Sequence, residues 1–359
     1  MAETRPTIRP TTRPRVWVSQ PLFDEEVERL RQYFEVEAAS EVTRYGSAEL
    51  SARLAAVDGA VITLNEKVGA TEIAAAPRLR AIANVGVGYN NLDLDALGTA
   101  GVIASNTPDV LTETTADLGF ALLMAAARRI AESERWLRDG QWKQWSFKTM
   151  LGADVHGSTL GILGMGRIGQ GIARRGALGF GMRVIYHNRS RLPEALEKES
   201  NARYVGFEEL LAQSDHLVLV LPYSPQSHHL IDAAALARMK PTATLVNIAR
   251  GGLVDELALA DALANGRLGA AGLDVYEGEP SVRAELLAQR HVVLTPHIGS
   301  ASLATRRAMM ALAVDNLIAA LGEGPRAGDP PNALNAAQVQ AAKSGETTVG
   351  ARKIGADKR

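Results

Sequence analysis

The sequence predicts an α/β protein with two doubly wound parallel sheets, the second inserted into the first. Three observations carry that expectation. Short apolar runs alternate with helical stretches along most of the chain, which implies parallel strands joined by crossovers. The alternation comes in two series, divided by a long helix pattern between Leu111 and Arg129 that is apolar nearly all round, as in a helix buried between larger bodies. A last helical stretch, Ala301 to Leu321, follows the second series and carries the chain back to the first domain.

In the first series, Val16-Trp17-Val18 reads as a strand and Asp24 to Phe34 as an amphipathic helix with Val27, Leu30 and Phe34 on its apolar side. Strands are expected next at Gly59 to Thr63, Leu79 to Val85 and Val102 to Ala104. The second series opens with a buried strand at Leu160 to Leu163 and a helix from Ile168 to about Leu178. Further strands are expected at Arg183 to Tyr186, Leu217 to Leu221, Thr244 to Ile248, Ala270 to Leu273 and Val292 to Thr295.

Bulk properties bound the function. A length of 359 residues suggests about two domains. A hydrophobic content of 46%, a charged content of 22% and a net charge of −1 fit a globular protein with no pull toward nucleic acid or an anionic membrane. The chain has no cysteine, which removes disulfides, thiolate nucleophiles and thiolate metal sites and suits a cytoplasmic location. No stretch approaches the about 18 apolar residues of a membrane span. Residues 1–14, rich in Thr, Pro and Arg, and 336–359, polar throughout, are expected to be disordered tails without chemistry.

Leu160 to Gly169 runs from an apolar strand through Gly164-x-Gly166-x-x-Gly169 into a helix. Gly164 permits the tight turn, Gly166 lets the backbone approach a pyrophosphate, and Gly169 lets helix and strand pack closely. The helix start then offers free N–H groups to the phosphates. The glycine pattern sits between a strand and a helix, with a second strand following, which makes it specific for a dinucleotide. Units that bind NAD end that second strand with an acid on the ribose hydroxyls. Here the sequence is Tyr186-His187-Asn188-Arg189-Ser190-Arg191, with Asn188 at the acidic position. Arg189 and Arg191 suit a 2′-phosphate, each charge-assisted bond contributing roughly 1.5–3 kcal/mol. NADPH is therefore expected over NADH.

Three more strand ends carry reactive side chains. Arg250 follows an apolar strand and precedes Gly251-Gly252. Glu279 lies among acids after the strand ending at Leu273, and His297 follows Val292 to Thr295. Ligands of doubly wound sheets bind beyond such ends. A guanidinium holds a carboxylate through parallel bonds, while a histidine beside a carboxylate donates a proton near neutral pH. Arg250, Glu279 and His297 thus read as substrate clamp, pKa tuner and general acid for ketone reduction. His228 and His229 are adjacent and would not share a helix or strand face. His156, His187, His216 and His291 lack an evident acid–base partner, and no ligand spacing points to a metal.

These stretches, with Thr107 to Thr114 and Pro296 to Ser300, resemble the D-isomer-specific 2-hydroxyacid dehydrogenase family over roughly Arg15 to Asn335. Within it, the chain looks closest to bacterial glyoxylate/hydroxypyruvate reductases and 2-ketogluconate reductases. The resemblance implies a Rossmann cofactor domain, 108–303, inserted into a flavodoxin-like substrate domain, 15–107 plus 304–335, with the active site in the cleft and a homodimer formed through the cofactor domains. It places catalysis on Arg250, Glu279 and His297, and the substrate's carboxylate on Asn84 to Gly88, with Val87 and Gly88 as contacts. Ser300 would adjust the histidine's surroundings. Cofactor contacts fall on Thr115, Arg167, Ile168, Leu221, Pro222, Ile248, Ala249, Asp274, His297 and Gly299. Trp142 and Trp145 would reach a neighbouring subunit. Phosphoglycerate dehydrogenases carry an arginine near the position of Asn65, and phosphite dehydrogenases a lysine at Val87, so both activities recede. Glyoxylate, hydroxypyruvate and 2-keto-D-gluconate remain as substrates. The alternatives are an NAD-linked dehydrogenase of another hydroxy acid and a dinucleotide-sensing binding module like some transcriptional corepressors.

Overall fold

The computed structural model describes residues 13–344. Residues 13–110 and 306–344 form one compact unit, and residues 111–305 the other. No helix among the described residues is long and apolar enough to cross a membrane.

In the first unit, β1 (Arg15–Val18), β2 (Glu35–Ala38), β3 (Gly59–Ile62), β4 (Ala81–Asn84) and β5 (Ile103–Ser105) form one sheet. Its order is β2-β1-β3-β4-β5 and every pairing is parallel. This is the flavodoxin-like order. β3 and β4 are buried throughout, as a sheet covered on both faces requires. Val314, Leu317 and Leu321, in and just beyond the helix Leu303–Ala320, pack with Val16, Val18, Leu30 and Val61. That contact explains Gly59, where a Cβ would lie 2.9 Å from Leu321 Cδ1.

The stretch expected to be a loose C-terminal tail begins instead with the helix Ala336–Ser344. Asn335 anchors it, accepting from the Ala104 N–H at 2.9 Å and donating to the Val102 carbonyl at 2.9 Å. Val339 is then buried against the unit. Two isolated signals, one Asn and one Val, did this in a segment whose overall polarity suggested solvent. Of the expected N-terminal tail, the Pro14 carbonyl accepts from the Glu35 N–H at 3.0 Å, while residues 1–12 and 345–359 lie outside the described residues.

The second unit holds β6 (Thr159–Leu163), β7 (Arg183–His187), β8 (Ala202–Tyr204), β9 (His216–Leu219), β10 (Thr244–Asn247), β11 (Ala270–Leu273) and β12 (Val292–Leu294). They are ordered β12-β11-β10-β9-β6-β7-β8, again all parallel. The order reverses between β6 and β9, which creates the switch point at which open α/β sheets bind ligands. The expected pair of parallel α/β sheets is therefore what the chain forms. The helix Thr112–Ala127 lies on the second sheet, and small residues let it do so. A Cβ on Gly119 would meet Ile248 Cδ1 at 2.8 Å, and one on Gly272 would meet Leu122 Cβ at 3.1 Å.

Candidate active site

The end of β6 turns sharply. Gly164 has φ of 103°, and a Cβ there would sit 2.7 Å from the Leu221 nitrogen beyond β9. Both the left-handed backbone and the close approach exclude a side chain. A Cβ on Gly169 would meet the Gly164 carbonyl oxygen at 2.4 Å, so this glycine seats the helix Arg167–Arg174 on the loop. Around Gly166, which caps that helix, no atom lies within 4 Å of the Cβ position. The cradle is closed on the protein side at Gly164 and Gly169 and open at Gly166. A pyrophosphate facing the helix N-terminus fits that arrangement.

After β7, Asn188 accepts from the Met165 N–H at 2.7 Å and so ties the second strand's end to the glycine loop. The two arginines differ. Arg189, Ser190 and Arg191 are all exposed, but only Arg191 of the two arginines reaches Glu197. Arg191 is forked onto Glu197, with Nε 2.9 Å from Oε1 and Nη2 2.7 Å from Oε2. The Tyr186 hydroxyl donates to the same carboxylate at 2.6 Å and accepts from the Leu192 N–H at 2.8 Å. Arg191 is thereby committed to an internal network that closes the 188–192 loop, a partnership the sequence reading did not foresee.

The Arg191 fork and the Tyr186 hydroxyl hold the Glu197 carboxyl down to about 2, against roughly 4.3 in an unfolded chain. A depressed carboxyl contributes stability that is complete above its unfolded pKa and is lost as pH falls through the folded one. We expect the stability difference between the native chain and Glu197→Gln to shrink between about pH 4.3 and pH 2. Denaturant titrations across that window test this; a constant difference would contradict the network's role.

Beyond β10, Asn247 shapes the turn, accepting from the Ala249 N–H at 3.0 Å and donating to the Arg250 carbonyl at 2.9 Å. Gly251 follows, against the neighbouring loop, and a Cβ there would fall 1.8 Å from the Tyr276 carbonyl carbon. This contact brings the Arg250 segment against the one bearing Glu279. Burial pushes the Arg250 guanidinium below its usual pKa, and the Glu279 charge works the other way.

Glu279 and His297 meet directly, with Nδ1 2.8 Å from Oε2. The other Glu279 oxygen accepts from the Tyr276 N–H at 2.9 Å. Burial works to raise the Glu279 pKa, but the His297 hydrogen bond and charge, the Tyr276 N–H and Arg250 outweigh it and hold the carboxyl below its usual range. His297 has φ of 53°, a left-handed conformation that side chains rarely adopt. Asp274 enforces it. Its carboxylate accepts from Thr295 Oγ1 at 2.6 Å, from the Ile298 N–H at 2.8 Å and from the Gly299 N–H at 2.8 Å. Its carbonyl takes the His297 N–H at 2.9 Å. Burial raises the Asp274 pKa against those hydrogen bonds. The resemblance implies a cofactor contact at Asp274, and Thr295 is not among the expected site residues. The side chain's observed partners make it the brace of the histidine turn.

The other expected cofactor positions lie around the same strand ends. Thr115 is buried with its Cγ2 3.4 Å from the Cβ position of Gly299. Leu221 and Pro222 follow β9 beside Gly164, and Ile248 and Ala249 are buried after β10. In the other unit, Asn84 donates to the Gly88 carbonyl at 2.9 Å, and Asn106 to the Val87 carbonyl at 2.8 Å. Those bonds fix the 84–88 loop through its carbonyls.

One expectation fails. His228 and His229 were kept apart because sequence neighbours on regular elements face opposite ways. They follow a short 3₁₀ turn, Pro225–Ser227, and His229 has φ of 49°. The reversal stacks the two rings with centroids 3.9 Å apart.

Residues 120–299 match the family described as D-isomer specific 2-hydroxyacid dehydrogenase, NAD binding domain. A glyoxylate reductase of Thermococcus kodakarensis is 44% identical over 338 residues, covering 93% of this chain and 99% of its own. A Thermus thermophilus protein of known structure superposes with a TM-score of 0.81 at 42% identity, over 89% of this chain and 99% of that one. An NADPH-dependent glyoxylate/hydroxypyruvate reductase from Sinorhizobium meliloti, solved with NADP and malonate, gives a TM-score of 0.78 at 35% identity, over 89% and 99%. With the paired sheets and the glycine cradle, these likenesses show that the chain belongs to the D-isomer-specific 2-hydroxyacid dehydrogenase family.

Proposed function

We propose that this chain reduces a small 2-keto acid to the D-2-hydroxy acid, with NADPH as the preferred cofactor and glyoxylate, hydroxypyruvate and 2-keto-D-gluconate as the candidate substrates. The observation that carries the reading is the His297–Glu279 pair at 2.8 Å, built on strand ends of the dinucleotide-binding sheet with Arg250 charge-coupled to Glu279. The names of the relatives support glyoxylate as the first substrate to test.

A dinucleotide held at Gly164, Gly166 and Gly169 would supply the hydride for the keto carbon. This chain's residues do the rest. Arg250 holds the substrate carboxylate, with Ser300 as a further contact. Glu279 fixes the His297 ring through Nδ1, leaving Nε2 to protonate the carbonyl oxygen as the alkoxide develops. Solvent then returns the proton to His297, so one NADPH and one proton are consumed for each keto acid reduced.

Cofactor choice rests on the loop after β7. It carries no acid to repel a 2′-phosphate, and it exposes two cations, Arg189 and an Arg191 that is engaged by Glu197. We expect Arg189→Ala to weaken NADPH by about tenfold, one charge-assisted bond, and to leave NADH nearly unchanged. Kinetic constants for both cofactors test this, and equal losses would contradict it. Arg191's commitment to Glu197 favours, as a second reading, an enzyme that accepts NADH as readily; equal kcat/KM with the two native cofactors would establish that instead.

A homodimer is part of the proposal. Trp142, Trp145, Phe147 and Leu151 are all more than half exposed within ten residues, an apolar surface suited to a second copy. Light scattering in solution measures the mass directly.

A further inference from the structure

His228, His229 and Glu277 each offer one ligand atom, and the three atoms lie within 4.8 Å of one another. His229 Nε2 is 3.2 Å from Glu277 Oε1, and His228 Nε2 is 3.8 Å from the same oxygen. The first distance is a hydrogen bond; the second is too long for one. A proton therefore satisfies one imidazole and leaves the other facing the carboxylate without a bond to it. An ion at the centre satisfies both.

Several features hold the cluster in place. The His229 N–H donates to the Gly252 carbonyl at 2.8 Å, which pins the histidine turn to the segment after Arg250. Gly252 also clears the space, since a Cβ there would come within 2.9 Å of the Tyr223 ring and 3.4 Å of His228 Nδ1. The Tyr223 hydroxyl lies 3.2 Å from that Nδ1. When Nδ1–H donates to the hydroxyl, the Nε2 lone pair is left for a ligand, which is the outer-shell arrangement of metal-bound histidines. The Glu277 N–H donates to Glu256 at 2.8 Å, and Arg283 lies 3.6 Å from its second oxygen.

We propose that His228, His229 and Glu277 form a binding site for a divalent transition-metal ion, with zinc the ion their donors suit best. Two imidazoles and one carboxylate, with water in the fourth position, form an open zinc set, whereas magnesium and calcium take oxygen ligands. Zinc bonds of about 2.0–2.1 Å in a tetrahedron separate ligand atoms by about 3.4 Å. The nitrogen–oxygen distances of 3.2 and 3.8 Å straddle that value. The side chains are 30–44% exposed, which leaves room for water and a path for entry. An ion here links the turn after β9 to the loop that carries Glu279, two residues beyond Glu277. The proposal rests on the donor geometry and stands apart from the assignment of substrate.

The experiment is titration of the metal-stripped full chain with Co²⁺, read by visible absorption, and with Zn²⁺, read by calorimetry. We expect one ion per chain, a tetrahedral cobalt spectrum and a higher melting temperature with zinc. His228→Ala, His229→Ala and Glu277→Gln should each weaken binding by at least about tenfold, the lower end of what even outer-shell losses cost. His297→Ala should bind as the native chain does. If His228→Ala is poorly folded, His228→Gln serves in its place. No saturable binding, binding retained when both His228 and His229 are replaced, or binding lost in His297→Ala would overturn the proposal.

Discussion

His297→Ala is expected to lower turnover by about a hundred- to ten-thousandfold, the range for loss of a positioned acid, while NADPH binds with nearly unchanged affinity. The separation follows from where the groups sit. The dinucleotide cradle is built on Gly164, Gly166 and Gly169 at the end of β6, and the histidine stands after β12, at the far side of the sheet order. Glu279→Gln should lose part of the same factor. It keeps an acceptor oxygen for Nδ1 but replaces the carboxylate beside the ring with a neutral amide. Steady-state rates together with a fluorescence titration of NADPH separate the two quantities. A fall in turnover of less than about tenfold would remove His297 from the chemistry.

Gly251→Ala is expected to be as damaging, although its side chain would be one methyl group and touches no reactant. The Cβ would lie 1.8 Å from the Tyr276 carbonyl carbon and 2.1 Å from the Glu277 nitrogen. Those are backbone atoms and cannot swing aside, so either the Arg250 turn or the 276–279 loop must move. Displacement of a reacting group by about 1 Å costs on the order of a hundredfold in rate. Overpacking against backbone should cost about 1–3 kcal/mol of stability as well. Melting temperature and kcat/KM measured on the purified variant check both effects. Native activity in Gly251→Ala would mean that the close approach of these two loops is not needed.

Much of this was legible in the chain because it depends on local pattern. Apolar runs of four or five residues mark most of the strands, and Gly164, Gly166 and Gly169 announce their own loop. The edge strands β2 and β8 were not foreseen, for a physical reason. Glu35-Val36-Glu37-Ala38 and Ala202-Arg203-Tyr204 pair on one side only, so their composition is polar and their apolar signal weak. The candidate site divides in the same way. Arg250, Glu279 and His297 each follow a strand end, and the three together, not any one alone, mark the chemistry. That Glu279 reaches His297, that Asp274 braces the histidine turn, and that Glu197 captures Arg191 are contacts across 18, 24 and 6 positions, set by tertiary packing. His228 and His229 show the opposite error. A rule for regular elements was applied where a left-handed residue reverses the chain.

The most direct test is the initial rate of NADPH oxidation with glyoxylate, hydroxypyruvate and 2-keto-D-gluconate, on native chain whose NADPH binding has first been verified. Rapid, substrate-dependent oxidation is expected with at least one of the three, together with its loss in His297→Ala. Verified binding of NADPH with no oxidation by any of the three would contradict the proposed reaction.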